Sequence, residues 1–209
     1  YRGRFAPSPT GPLHLGSLFT ALASFLEARA RNGTWLLRID DVDRQRCSQQ
    51  ATDAILRTLD CFGLHWDEPI VFQQQRTGRY RQVLEHLRGE SRVYPCVCSR
   101  KHLAGLHLGP VYPGTCRMRT LPQTSQAHAL RLRSAGHVVR FTDHLQGTVH
   151  QDIEQEIGDF IVQRRDGVIA YHLATVIDDA DSGITEVLRD TLDVGSDDPK
   201  QTEITRQTL

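Results

Sequence analysis

The first forty residues constrain the fold most, because a rigid loop is set between an extended run and a helix. Arg4-Phe5-Ala6 closes the extended segment. Pro7, Pro9, Gly11 and Pro12 then forbid regular structure, since proline fixes φ and lacks an amide donor. From Ser17 the spacing predicts a helix with Leu18, Leu22, Phe25 and Leu26 on one face, stopped by Asn32-Gly33. Trp35-Leu36-Leu37-Arg38-Ile39 is an apolar run of strand length, closed by the acidic stretch Asp40-Asp41-Val42-Asp43. A β-loop-α-β unit of this size opens a doubly wound, parallel α/β sheet of the Rossmann type. Such sheets bind ligands beyond the carboxyl ends of their strands.

Two further helices are expected. Ala51, Ala54, Ile55, Leu59 and Phe62 mark the first, ending at Gly63, and Tyr80, Val83, Leu84 and Leu87 mark the second, ending near Gly89. The stretch 91–150 changes character, with Cys, His, Pro and Gly and only short strands such as Val138-Val139-Arg140-Phe141. Alternating elements resume with Asp159-Phe160-Ile161-Val162, Val168-Ile169-Ala170-Tyr171 and the run Ile184 to Arg189. This pattern predicts a first core half at 1–85, an insertion at 86–150 and a second core half at 151–209.

Composition excludes some classes. No stretch approaches the roughly 18 to 20 apolar residues of a membrane span, and Tyr1-Arg2-Gly3-Arg4 does not lead into a secretory segment. A cytoplasmic protein with no membrane partner is expected. Net charge is zero, so the composition does not mark a nucleic-acid binder. Only Lys101 and Lys200 are lysines, and local arginine clusters occur at Arg76, Arg79 and Arg81 and at Arg164-Arg165. Five cysteines, an odd number, argue against a disulfide framework.

His14 and Gly16 stand where a helix begins after the Pro/Gly loop. Glycine lets backbone approach a ligand, the helix amino end attracts phosphate, and a histidine can donate to phosphate oxygens as charge develops. The whole string from Arg4 to Ser17 resembles the signature of class I glutamyl-tRNA synthetases and their relatives, with His14-Leu15-Gly16-Ser17 in the place of their "HIGH" motif. These enzymes adenylate glutamate with ATP. Arg38-Ile39-Asp40-Asp41-Val42-Asp43 resembles the family's Arg-Ile-Glu-Asp-Thr-Asp block, whose Glu holds the substrate amino group; Asp40 is one methylene shorter. Tyr171 through Asp178-Asp179 to Arg189 is similar to the later segment whose Tyr and Arg close on the amino acid. The resemblance implies a glutamate pocket of Arg4, Phe5, Ala6, Pro7, Ser8, Asp40, Tyr171 and Arg189. Arg4 and Arg189 would be its cations, since a guanidinium offers a carboxylate two parallel hydrogen bonds. ATP, with Mg2+, would lie over Thr10, His14, Gly16 and Ser17, with His14 and Gly16 catalytic.

Cys96, Cys98 and Cys116 suit tetrahedral zinc, which needs a fourth ligand. The chemistry of the segment alone nominates His102 or His107. The resemblance nominates Tyr112, because Cys-x-Cys followed by Tyr-x-x-x-Cys looks like the zinc site of glutamyl-Q tRNA(Asp) synthetases. One structural Zn2+ on Cys96, Cys98, Tyr112 and Cys116 is therefore implied, while Cys47 and Cys61 read as ordinary thiols.

That subfamily activates glutamate without tRNA and places it on the queuosine base at the wobble position of tRNA(Asp). The Tyr112 pattern and the compact interval from Asp40 to Tyr171 favour it, with glutamate, ATP and queuosine-bearing tRNA(Asp) as partners and a monomer expected. The family's Lys-Met-Ser-Lys-Ser-like loop is not found, and Asp190-Thr191-Leu192-Asp193 departs from the family's continuation, so the second core half is expected to be incomplete. Two rivals remain: a catalytic fragment of a glutamyl-tRNA synthetase that charges tRNA(Glu), and a non-catalytic zinc-bearing RNA-binding module.

Overall fold

The computed structural model describes residues 1–105, 111–118, 127–144 and 146–188. In chain order its elements are β1 (Arg2–Phe5), α1 (Leu15–Ala30), β2 (Thr34–Ile39), α2 (Gln49–Cys61), β3 (Val71–Phe72), a 3-10 turn (Gln73–Arg76), α3 (Thr77–Gly89), β4 (Val93–Cys96), α4 (Arg100–Ala104), β5 (Ala129–Leu132), β6 (Val138–Asp143), β7 (Gly147–Asp152), α5 (Ile153–Glu156), β8 (Ile161–Gln163) and α6 (Tyr171–Asp181). The described chain divides into two compact units, one of Tyr1–Gly78 with residues 174–188, the other of Arg79–Leu173.

In the first unit β1, β2 and β3 form a parallel sheet in that order, with Arg4 opposite Leu36 and Phe5 opposite Leu37. A parallel pair needs a crossover, and α1 supplies it. The expected stop is found: Asn32 takes a left-handed φ of 49° and the Gly33 amide reaches back to the Ala28 carbonyl at 2.8 Å. A Cβ on Gly33 would lie 2.6 Å from the Tyr1 carbonyl oxygen, so only glycine fits there. The core is built around Trp35, fully buried on β2, with Phe25 edge-on at 5.3 Å and Phe5 stacked at 6.5 Å. Its indole Nε1 donates to Ser24 Oγ at 3.0 Å, which satisfies the one polar atom such a core must place.

The helix face differs from the expected one. Ala21, Ser24 and Ala28 are buried against the sheet, flanked by Leu18 and Phe25, while Leu22 and Leu26 are exposed together with Leu15 and Phe19. Small residues allow α1 to approach β2 closely, so they win the inward positions and the larger side chains point away. Phe62 likewise lies just past α2 and is exposed, with Leu64 taking the buried place beyond Gly63.

The second unit is antiparallel, with a β4-β5-β8 sheet and a β6-β7 hairpin. Val168–Tyr171 is not a strand: Ile169 makes an isolated bridge to Gln163, and Tyr171 opens α6. After Gly183 the chain runs beside β1 without forming a named strand, and the amides of Thr185 and Glu186 both reach the Arg2 carbonyl.

Candidate functional site

Each unit carries one site. In the first unit, the Pro/Gly loop is tied down by three backbone bonds: Asp40 N to Pro7 O at 3.0 Å, Ser48 N to Pro9 O at 3.0 Å and Thr10 N to Ser8 O at 2.9 Å. The ends of β2 and α2 therefore fix the path of the loop. Phe5 and Pro7 are buried, Ala6 is half-buried, and Ser8 and Thr10 are exposed. His14 is the N-cap of α1. Its Nδ1 accepts from the Ser17 amide at 3.1 Å, and its Nε2 lies 2.9 Å from Ser17 Oγ. An accepting Nδ1 is unprotonated, so a neutral ring carries its proton on Nε2 and donates it to Ser17 Oγ. The imidazole is exposed, and the first-turn amides of Leu15 and Gly16 have no intrahelical acceptor. Open amides at a helix start of this kind can meet an anion.

Beneath the loop lies a buried ionic network that the motifs did not reveal. Arg4 donates from Nε and Nη2 to the two oxygens of Asp179, at 3.2 and 3.3 Å. Arg38 grips Asp40 from Nε at 2.6 Å and Nη2 at 3.3 Å, and reaches Asp179 from Nη1 at 2.5 Å. Asp178 accepts from Gln73 Nε2 at 2.9 Å and Arg76 Nε at 2.7 Å. Burial pushes the Asp40 carboxyl above its ordinary range, with Arg38 opposing. Burial also acts upward on Asp179, but Arg4 and Arg38 outweigh it and hold that carboxyl low.

Arg4 and Asp40 therefore lie together, each already paired. The outer Nη1/Nη2 edge of Arg4 has no acceptor among the described residues, which leaves one two-pronged face for a ligand. Asp40 keeps spare lone pairs, but its side chain is 0% exposed. Tyr171 belongs to the second unit, half-buried, with its ring edge-on to His172 at 6.0 Å. Arg189 and His107 lie outside the described residues. Arg38, Asp178 and Asp179 stand in the quoted motifs but carry no assigned role there; the available signal was the adjacent pair of acids, buried on α6.

In the second unit, β4 ends at Cys96, and Cys98 and Cys116 join it in a cluster whose ligand atoms all lie within 4.8 Å of one another. Tyr112 Oη is 3.4 Å from Cys96 Sγ and 3.7 Å from Cys98 Sγ, and Cys98 and Cys116 sulfurs are 3.6 Å apart. A tetrahedral ion with bonds near 2.3 Å to sulfur and 2.0 Å to oxygen sets donor–donor edges of about 3.8 and 3.5 Å. The donor set fits such an ion. His102 is exposed at the start of α4 and is not part of the cluster. Burial opposes ionisation of Cys96, but bonds from Tyr112 and Arg131 prevail and lower it, whereas burial and the neighbouring thiols push Cys98 up to about 11.

Two supports of this centre went unread in the sequence. Gly158, at φ 73°, bridges Tyr112, and a Cβ there would lie 2.9 Å from the Tyr112 carbonyl oxygen. The next residue, Asp159, is fully buried and accepts from Tyr94 Oη at 2.5 Å, Arg117 Nε at 2.8 Å and the Ser134 amide at 2.8 Å. Burial raises its carboxyl, but these donors more than compensate and keep it below its ordinary range.

Fold and sites together define an α/β core that carries a three-cysteine cluster able to hold a metal ion. Residues 1–208 match the family described as tRNA synthetases class I (E and Q), catalytic domain, and the chain belongs to that family. It is 59% identical over 189 residues to a glutamyl-Q tRNA(Asp) synthetase of Methylococcus capsulatus, covering 90% of this chain and 62% of the relative. It is 49% identical over 195 residues to the protein of that name from Dechloromonas aromatica, covering 90% and 64%. The chain thus spans a little under two thirds of the length of these curated relatives. Among solved structures, a glutamate tRNA ligase from Elizabethkingia meningosepticum in complex with its amino acid matches with a TM-score of 0.77 at 27% identity, over 89% of this chain and 43% of that one. Among the described residues, no helix is long and apolar enough to cross a membrane.

Proposed function

We propose that this chain is the catalytic core of a glutamyl-Q tRNA(Asp) synthetase: it activates L-glutamate with ATP, without tRNA, and the glutamyl group passes to the queuosine base of tRNA(Asp). The observation that carries the choice is the Cys96–Cys98–Tyr112–Cys116 donor set, found in a chain 59% identical to a protein of that name. The reading takes 86–150 as a zinc-bearing insertion between the core halves 1–85 and 151–209, in a monomeric cytoplasmic protein.

In this reading the glutamate α-carboxylate oxygen attacks the α-phosphorus of ATP. The bond from that phosphorus to the bridging oxygen breaks, and glutamyl-adenylate and pyrophosphate form. The α1 amino end and His14, whose Nε2–H would turn from Ser17 Oγ to a phosphate oxygen, stabilise charge on the phosphates, which arrive with Mg2+, while Thr10 and Ser17 line the nucleotide. The free edge of Arg4 holds the side-chain carboxylate together with Arg189, Asp40 and Tyr171 serve the amino group, and the Phe5–Ser8 segment shapes the pocket. Binding in one orientation supplies much of the rate, because alignment replaces a bimolecular encounter. Zinc would hold the insertion segment in shape and takes no part in these steps.

The test uses full-length protein, ATP and radiolabelled glutamate, with queuosine-bearing tRNA(Asp) and tRNA(Glu) in parallel. Label on tRNA(Asp) alone, after glutamate-dependent ATP–pyrophosphate exchange without tRNA, is the expected result. Label on the 3′ end of tRNA(Glu) assigns the chain to an ordinary glutamyl-tRNA synthetase. No exchange at all marks a non-catalytic RNA-binding module.

A further inference from the structure

Arg131 is a buried cation without a carboxylate partner among the described residues. It stands on β5 opposite Tyr94, is 7% exposed, and forms no ion pair there. A buried charge must be compensated, or it costs several kcal/mol, on the order of the penalty for one ion left unpaired. The nearby Asp159 carboxylate does not compensate it: its oxygens accept from Tyr94, Arg117 and Ser134, and Arg131 reaches only its backbone carbonyl, at 2.5 Å. What Arg131 does touch are two of the four metal donors. Its Nε donates to Cys96 Sγ at 3.3 Å, and its guanidinium carbon sits 3.7 Å from the centroid of the Tyr112 ring.

We infer that Arg131 is the counter-ion and positioning residue of the metal centre, the group that lets a tyrosine complete a three-cysteine site. The inference rests on the reading of these residues as zinc ligands. A divalent ion with three thiolates and a phenolate carries a net charge of −2, and one guanidinium in contact reduces it to −1. The contact geometry selects arginine. A planar guanidinium can lie over the Tyr112 face and still aim an in-plane N–H at the Cys96 sulfur, which a lysine ammonium cannot do from one position. The bond to the Asp159 carbonyl fixes the third direction of the fork. Both ligand side chains are thereby oriented before any ion arrives, the task that partners of metal ligands generally perform.

The experiment compares full-length wild type, R131M, R131K, Y112F and R131M/Y112F. Zinc affinity is measured by competition with a chromophoric chelator, the ligand field by the visible spectrum after cobalt substitution, and metal-free stability by urea unfolding. R131M is expected to bind zinc about 10- to 100-fold more weakly, the usual consequence of removing a ligand's partner, and to shift the cobalt bands. R131K should recover part of the affinity through its charge without restoring the wild-type spectrum. The double variant should lose less than the two single losses added together, because Arg131 acts partly through Tyr112.

Wild-type affinity and spectrum in R131M, even with lowered metal-free stability, would overturn the inference and assign Arg131 to packing alone. Should R131M fail to fold, R131K decides: an unchanged spectrum and affinity overturns it equally. Wild-type protein that binds no zinc would instead bring down the metal reading itself.

Discussion

Asp179→Asn removes one negative charge from the most constrained position in the first unit. The Asp179 carboxylate is 3% exposed and receives three hydrogen bonds, two from Arg4 and one from Arg38. Arg4 and Arg38 face Asp40 and Asp179, and Arg76 joins Asp178 to Asp181, so each arginine of the network has a carboxylate partner. Asparagine keeps the shape but takes from Arg4 the carboxylate that both of its bonds reach, and it turns amide hydrogens toward guanidinium hydrogens. Breaking a buried pair from one side costs roughly 3–5 kcal/mol, a large part of the about 5–15 kcal/mol that holds a domain folded. With a urea slope of about 2 kcal/mol/M, the midpoint should fall by about 1.5 to 2.5 M. Tryptophan fluorescence is the assay, because both tryptophans, Trp35 and Trp66, belong to this unit. Asp181→Asn is the control: it loses a 2.5 Å bond to Arg76 at a part-exposed position and should cost under about 1 kcal/mol. The pH dependence has a definite sign. Asp179 has a lowered folded pKa, so its contribution is complete above the ordinary aspartate value near about 3.9 and is lost as pH falls through the folded value. The gap between wild type and D179N should therefore close in acid. A D179N midpoint within about 1 kcal/mol of wild type at neutral pH would refute the view that this network is closely compensated.

Three further outcomes follow from single contacts. His14→Ala should lower glutamate-dependent ATP–pyrophosphate exchange by about 100- to 1,000-fold, while costing about 0.5–2 kcal/mol of stability through the lost cap, measured by exchange kinetics and urea titration. Gly158→Ala should cost at least about 1–2 kcal/mol from its left-handed backbone alone; with the 2.9 Å approach to Tyr112, it should also weaken zinc binding in a chelator assay. Ser24→Ala should cost about 1–3 kcal/mol by leaving the buried Trp35 Nε1 without a partner, read from the thermal midpoint of the fluorescence transition.

The local signals were legible where one short segment carries its own physics. The prolines and glycines of the loop, the Asn32-Gly33 stop and the apolar Trp35–Ile39 strand all stand where the spacing put them. So do the three clustered cysteines, and the family match bears out the synthetase resemblance. What failed was periodicity without packing. On α1 a rule that counts large apolar residues chose Leu22 and Leu26, but close approach to a sheet rewards Ala21, Ser24 and Ala28. Partners distant in sequence were also unreadable. Nothing local in Arg38 or Asp179 announces a bond across 141 positions, and nothing in Arg131 announces a sulfur 35 positions away. Such pairs are set by topology, so they emerge only once the strands are registered.

The replacement of the family's Glu by Asp40 acquires a physical meaning from this network. A glutamate side chain at that position could extend beyond a neighbouring guanidinium, whereas the shorter Asp40 meets Arg38 with both oxygens, 0% exposed. Each carboxylate oxygen still has a second lone pair, so an ammonium can share it without displacing Arg38. The Pro7 carbonyl is bonded to the Asp40 amide, which ties the loop to the end of β2. The proposed recognition of an amino group through Asp40 therefore requires the substrate nitrogen to reach a carboxylate that is 0% exposed beside Arg38. An ammonium there would act with Arg38 against the burial that raises this carboxyl.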